Sequence, residues 1–182
     1  MGWIGKGLES FRSLQIRPLL EQAISLGIII CSALMIWKGL MCITGSESPV
    51  VVVLSESMEP GFQRGDILFL HMNNDPVQVG EIVVYNVKGR DIPIVHRVIE
   101  VHEQQSSGEL DILTKGDNND ADDRTGLLYA PGQLWLQQND ILGRAVGFLP
   151  YVGYFTIIMT DFPLLKYLMI GSLGLLVITS KE

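Results

Sequence analysis

Residues 22–37 carry no charge, and after the single Lys38 the apolar character resumes as far as Thr44. A run from Ala23 to Thr44 is long enough to cross a bilayer, which takes about 20 helical residues. Lys38 shortens the greasy centre without abolishing it. Its stem can carry the ammonium towards one end, where Trp37 also suits the interface. Lys6, Arg12 and Arg17 precede the run, whereas the first basic residue beyond it is Arg64. That asymmetry predicts a cytosolic N-terminus, with the rest of the chain across the membrane. A cleavable signal peptide ending near Thr44-Gly45-Ser46 is the rival reading. The retained anchor is favoured because the basic segment is long and the apolar run exceeds the usual stretch of about 7 to 15 residues.

A second apolar stretch, residues 167–179, is too short for an ordinary span and predicts a buried, re-entrant or interfacial helix. Between the two ends, residues 47–161 are rich in Asp, Glu, Gly and Asn. The 182 residues leave room for one compact domain plus this membrane-embedded portion. A net charge of −7 argues against nucleic acid as a partner, since no basic footprint is present to neutralise phosphates. Both cysteines, Cys31 and Cys42, lie in the apolar run, so the middle of the chain holds neither a disulfide nor a cysteine-ligated metal. His71, His96 and His102 lack the spacing of zinc proteases, and neither metal nor cofactor is expected.

The middle reads as short β-type runs at residues 50–54, 67–70, 81–87, 92–102 and 110–114. They are separated by turn chemistry such as Arg64-Gly65-Asp66, Asn73-Asn74-Asp75-Pro76, Lys88-Gly89-Arg90 and Ser106-Ser107-Gly108. The fold class is therefore mainly β, an all-β barrel or folded sheet following the N-terminal helix and preceding a short C-terminal apolar helix. Alternation along residues 92–102 sets Ile94, His96 and Val98 on one face and Val95, Arg97, Ile99 and Val101 on the other. Residues 148–159 are unusually apolar for a loop. Phe148, Tyr151, Tyr154 and Phe155 suit either a membrane interface or the completion of the core.

Three kinds of side chain could do chemistry here. Ser57 follows the hydrophobic run 50–54, where a turn can present its hydroxyl at a sheet edge, but a serine is a poor nucleophile until a base takes its proton. His96 has the right intrinsic pKa for that base and a strand to aim it, while His71 and His102 read as surface residues. A third group should orient the imidazole and stabilise the imidazolium, and the cluster Asp117, Asp120, Asp122 and Asp123 could supply it. The alternative for that cluster is a solvated loop in which Arg124 pairs a carboxylate.

In combination these segments are specific. Ser55-Glu56-Ser57-Met58-Glu59-Pro60, Arg64-Gly65-Asp66, Ile92-Pro93-Ile94-Val95-His96-Arg97-Val98, Lys115-Gly116-Asp117-Asn118-Asn119 and Asp122-Asp123-Arg124 occur in order, followed by Gly143-Arg144-Ala145 and Phe148-Leu149-Pro150-Tyr151-Val152-Gly153. From about Ser32 onwards the chain resembles the catalytic subunits of the eukaryotic endoplasmic-reticulum signal peptidase complex. The resemblance implies a membrane-bound serine endopeptidase that removes signal peptides through an acyl-enzyme. Ser57 would be the nucleophile, His96 the base and Asp123 its acidic partner, with Asp117 in reserve. Bacterial relatives have a lysine where His96 stands. The oxyanion would be held by the Ser57 N–H, supported by the Ser55 hydroxyl. Implied partners are the other subunits of the complex, membrane lipid, and signal peptides with small side chains at the first and third positions before the cut.

The implied layout is a cytosolic segment (residues 1–22), a signal anchor (23–44), a luminal protease domain (45–163) and a membrane-associated helix (164–182). Such a layout would make it a single-pass type II protein of the endoplasmic-reticulum membrane. One residue departs from the family: Glu56 stands where the eukaryotic box usually has glycine. If that position required positive φ, glutamate would strain the nucleophile turn. A carboxylate about 6 Å from the oxyanion, at an effective dielectric near 20, would oppose it by roughly 2–3 kcal/mol. The alternative function is therefore a catalytically impaired paralogue that binds signal peptides or plays a structural part in the complex.

Overall fold

The computed structural model describes residues 16–73, 75–104, 108–125 and 128–179. Lys6, Arg12, Asn74, Ser106, Ser107 and the C-terminal Ser180-Lys181-Glu182 lie outside them. The chain divides into two compact units, Met1–Ile43 and Thr44–Glu182.

The first unit is dominated by helix α1, Ile16–Thr44. Its 25 residues Leu20–Thr44 are long and apolar enough to cross a membrane, and no residue of their most apolar stretch is buried inside the protein. An exposed apolar helix of this length is costly in water and stable in hydrocarbon. At its start Arg17 pairs with Glu21 one turn on.

The second unit is built on six antiparallel strands: β1 (Val50–Val52), β2 (Ile67–His71), β3 (Ile82–Tyr85), β4 (Ile94–Glu103), β5 (Leu110–Lys115) and β6 (Ile141–Leu149). Their order in the sheet is β1-β2-β6-β3-β4-β5. Five strands match the runs read from the sequence. The sixth, β6, was not anticipated, yet it sits between β2 and β3. Its pattern is obscured by Gly143 and Gly147, which weaken β propensity, and by Arg144, which is buried mid-strand. Arg144 bonds Glu81 at 3.2 Å and the Asp75 carbonyl.

Both faces of the sheet carry apolar packing. Val83, Tyr85, Val98, Ile112, Tyr129 and Leu136 form one cluster, and Val53, Leu68, Leu70 and Val84 form another. Each buried aliphatic stabilises the fold by about 1.5–3 kcal/mol. A bulge between Val98 and Glu100 corrects the expected alternation of β4. The extra residue, Ile99, turns outward, and Val101 packs with Ile94 and Val98 rather than on the opposite face.

Buried Asp66 explains the Arg64-Gly65-Asp66 segment. Its carboxylate accepts the Gln63 N–H at 2.9 Å and the Tyr151 N–H at 3.1 Å, tying the β1–β2 connection to the end of β6. Gly65 has φ +93°, and a Cβ there would fall 2.3 Å from the Tyr154 ring. Beyond β6 the apolar segment is not a loop: α2 (Tyr154–Asp161) is followed by α3 (Pro163–Thr179), bent by 103° from it. Helix α3 is longer than the apolar stretch read from sequence because Pro163 fits a first helical turn. Of the residues in α2, Ile157 is buried, whereas Tyr154, Phe155 and Ile158 are exposed, as are Phe148 and Tyr151 before them.

Candidate active site

The site forms where β3, β4 and β5 present one face. His96 on β4 pairs across to Val83 on β3, and Val98, two residues along β4, pairs with Thr114 on β5. By the two-residue period of strands, Tyr85, His96 and Thr114 therefore project to the same side. The segment after β5 folds back over that side, held by the Asp123 N–H on the Thr114 carbonyl at 3.0 Å.

Asp123 is fully buried and His96 is 2% exposed. His96 Nδ1 lies 2.6 Å from Asp123 Oδ2, and His96 Nε2 lies 3.0 Å from Ser57 Oγ. A carboxylate at that distance requires the proton on Nδ1, which leaves Nε2 free to accept the serine hydroxyl proton. Ser57 Oγ is also 3.1 Å from Ser55 Oγ. Of the sequence candidates, Ser57, Ser55, His96 and Asp123 are thus brought together. Asp117 is not in hydrogen-bond contact with His96. It pairs with Arg97 Nε and Nη2 at 2.8 and 2.7 Å, and this holds its carboxyl below the usual range and the guanidinium above its own. Asp122 accepts the Thr125 N–H and hydroxyl, both at 2.7 Å, and lies 3.8 Å from Arg124, as the solvated-loop alternative describes. The Thr125 bonds lower its pKa. Asp120 is exposed, as are His71 and His102, the last paired with Glu100.

The nucleophile turn is anchored by Met58, which is 1% exposed, and by Asn118, whose N–H reaches the Ser57 carbonyl at 2.9 Å and whose side-chain amide reaches the Glu56 carbonyl at 3.2 Å. Glu56 itself is exposed. Tyr151 is the one non-glycine residue with positive φ among those described, so the turn imposes no left-handed strain on Glu56.

Reasoning from the sequence missed four residues around the site. Tyr85 and Thr114 donate to Asp123 Oδ2 at 2.8 and 2.6 Å. Tyr129 accepts the Thr114 N–H at 3.0 Å and lies 2.9 Å from Thr114 Oγ1. Burial, and then the charge of Asp123, holds the Tyr85 hydroxyl well above the ordinary tyrosine range, while burial pushes Tyr129 up to about 12. Gly116 packs so closely that a Cβ would lie 2.7 Å from the Ser57 carbonyl oxygen and 2.9 Å from His96 Nε2. Gly116 lay within a recognised segment; Tyr85 and Thr114 read as ordinary strand residues. Among the described residues no cluster suits a metal ion.

Residues 18–124 match the Peptidase S24-like family, and residues 154–179 match the signal peptidase C-terminal short helix. The chain is 56% identical to signal peptidase complex catalytic subunit SEC11C of Canis lupus familiaris, over 97% of this chain and 92% of that protein. It is 55% identical to SEC11C of Homo sapiens over the same shares. Against signal peptidase complex catalytic subunit sec11 of Dictyostelium discoideum the identity is 51%, over 96% of each chain.

Proposed function

The chain belongs to the family of signal peptidase complex catalytic subunits, and from that premise we propose that Ser57, His96 and Asp123 form its catalytic centre. It is a serine endopeptidase that removes signal peptides. The observation that carries the site assignment is the unbroken line of hydrogen bonds from Asp123 through His96 to Ser57.

Ser57 Oγ attacks the scissile carbonyl as His96 Nε2 takes its proton. Asp123 holds the Nδ1 tautomer and stabilises the imidazolium that forms. His96 then returns the proton to the leaving amine, and water, activated by the same base, releases the peptide from the acyl-enzyme. The oxyanion is met by the Ser57 N–H and the Ser55 hydroxyl, and loss of one such donor costs about 3–4 kcal/mol of transition-state stabilisation. Exposure of Glu56, without strained backbone, supports an active enzyme over an impaired paralogue.

Helix α1 acts as the anchor, with residues 1–22 cytosolic, residues 45–163 on the luminal face of the endoplasmic-reticulum membrane, and residues 164–182 against the membrane. The basic residues before the apolar run support this orientation. The chain works with other subunits of a complex, as its relatives' names state. Its substrates are preproteins with small residues before the cut.

The test is cleavage of a preprotein by the purified complex carrying Ser57→Ala. The expected result is a rate at least a thousandfold below the parent, on the order seen when a triad nucleophile is removed. Cleavage at the parental rate would overturn the assignment.

A further inference from the structure

Three donors meet on one oxygen of Asp123: the His96 Nδ1–H at 2.6 Å, the Thr114 hydroxyl at 2.6 Å and the Tyr85 hydroxyl at 2.8 Å. A carboxylate oxygen offers two lone-pair directions, so this oxygen is crowded. Asp123 Oδ1, by contrast, is buried and carries no hydrogen bond among the described residues. Such a carboxylate has a competing orientation. Rotation about Cβ–Cγ would bring Oδ1 to one of these donors and carry Oδ2 off the His96 line.

Two of the donors stand on β3 and β5, the strands that flank β4 on either side, so their positions are set by the sheet rather than by a loop. We infer that Tyr85 and Thr114 are positioning residues, which hold Asp123 Oδ2 against His96 Nδ1 and oppose that rotation. The inference rests on the proposed roles of His96 and Asp123. Tyr85 is fully buried and its hydroxyl is held well above the ordinary tyrosine range, so it keeps the proton that it donates to Asp123 Oδ2. Tyr129 stands one bond further out. With the Thr114 proton committed to Asp123, the Tyr129 hydroxyl donates to Thr114 Oγ1 and so fixes that proton's direction.

The arrangement makes a prediction about pH as well as rate. With either hydroxyl gone the carboxylate rotates and draws Oδ2 off His96 Nδ1, which weakens stabilisation of the imidazolium and moves the acid limb of the kcat/KM profile to lower pH. Asp117 interacts electrostatically with His96, with its partner Arg97 and with Lys115, and none of these is altered by the substitutions.

The experiment compares Tyr85→Phe, Tyr129→Phe, Thr114→Val and Thr114→Ser in the full chain, assembled in its membrane complex, with a preprotein as substrate. Tyr85→Phe and Thr114→Val are expected to lower kcat by about ten- to thirtyfold, with KM within about twofold, and to move the acid limb downward by about half a pH unit. Thr114→Ser, which keeps the hydroxyl, is expected to restore the limb. Tyr129→Phe should cost similar thermal stability but displace the limb less than half as far. An unmoved or raised limb in both Tyr85→Phe and Thr114→Val, or an equal displacement in Tyr129→Phe, would overturn the inference. If Tyr85→Phe does not assemble, the Thr114 pair decides the matter by the same readout. Ser57→Ala in the same assay separates the two readings: its activity would remove the premise, whereas its inactivity beside an unmoved limb removes only the positioning role.

Discussion

Replacing Gly116 with alanine adds one methyl group where the nucleophile turn, the base and the segment after β5 converge. The new Cβ would stand 2.7 Å from the Ser57 carbonyl oxygen, 2.8 Å from Asn119 Nδ2 and 2.9 Å from His96 Nε2. Comfortable contact begins near 3.5 Å, so the methyl intrudes by about 0.8 Å on a backbone atom and about 0.6 Å on the imidazole. The Asn119 amide can swing away, but neither of the others yields cheaply. The Ser57 carbonyl is bonded by the Asn118 N–H, and His96 is held at its far side by buried Asp123. Overpacking of this kind costs about 1–3 kcal/mol of stability, which a domain of this size can lose and stay folded. The larger effect falls on rate. A misplacement approaching 1 Å costs about a hundredfold, so kcat should drop on the order of thirty- to a hundredfold, with KM less affected. Preprotein cleavage by the assembled complex, with Tm measured in parallel, checks both numbers. Gly147→Ala on β6 is the control, because its Cβ meets only the Phe69 ring, at 3.9 Å. If Gly116→Ala cleaved within about twofold of the parent at an unchanged Tm, the close approach would not constrain the Ser57–His96 contact and the reasoning would fail.

Two further outcomes follow from the same geometry. Glu56→Gly should change kcat/KM by less than about threefold, because the side chain is exposed in a solvent of high dielectric and its backbone is unstrained; a gain above about tenfold would mean that the carboxylate opposes the oxyanion after all. The Asp117 carboxyl is held low by Arg97, so the stability it contributes is present above the ordinary aspartate value of about 3.9 and is lost as pH falls through the lowered pKa. A gap in Tm between parent and Asp117→Asn should therefore be present at neutral pH and narrow as acid protonates the carboxyl; a gap that did not narrow at all in strong acid would show that the pair does not carry it.

Much of this protein was legible because its strongest signals are local. An apolar run of bilayer length, broken by one lysine, can be read residue by residue, and so can the basic residues before it. Five strands declare themselves by β-branched runs between turn residues. Ser57 and His96 stand in compact segments whose composition is distinctive together. The long-range features were not legible in the same way. Strand β6 is masked by two glycines and an arginine whose burial depends on Glu81 and Asp75 across the sheet. The face of Val101 depended on a bulge, which no alternation can announce.

The sequence by itself determined the membrane-length helix, the mainly β middle, the family resemblance and a short set of candidate side chains. It left Asp117 and Asp123, six positions apart in one polar segment, as rivals for the same histidine. Only the tertiary structure decided which carboxylate reaches it. The chain reverses after β5 so that the Asp123 N–H docks on Thr114 and its carboxylate turns under the sheet, while Asp117 stays at the rim with Arg97. The convergence of Tyr85, Thr114 and Gly116 was decided there too. Donors from separate strands can meet on one buried oxygen only through the register of β3, β4 and β5, and register is a property of paired strands rather than of any one of them.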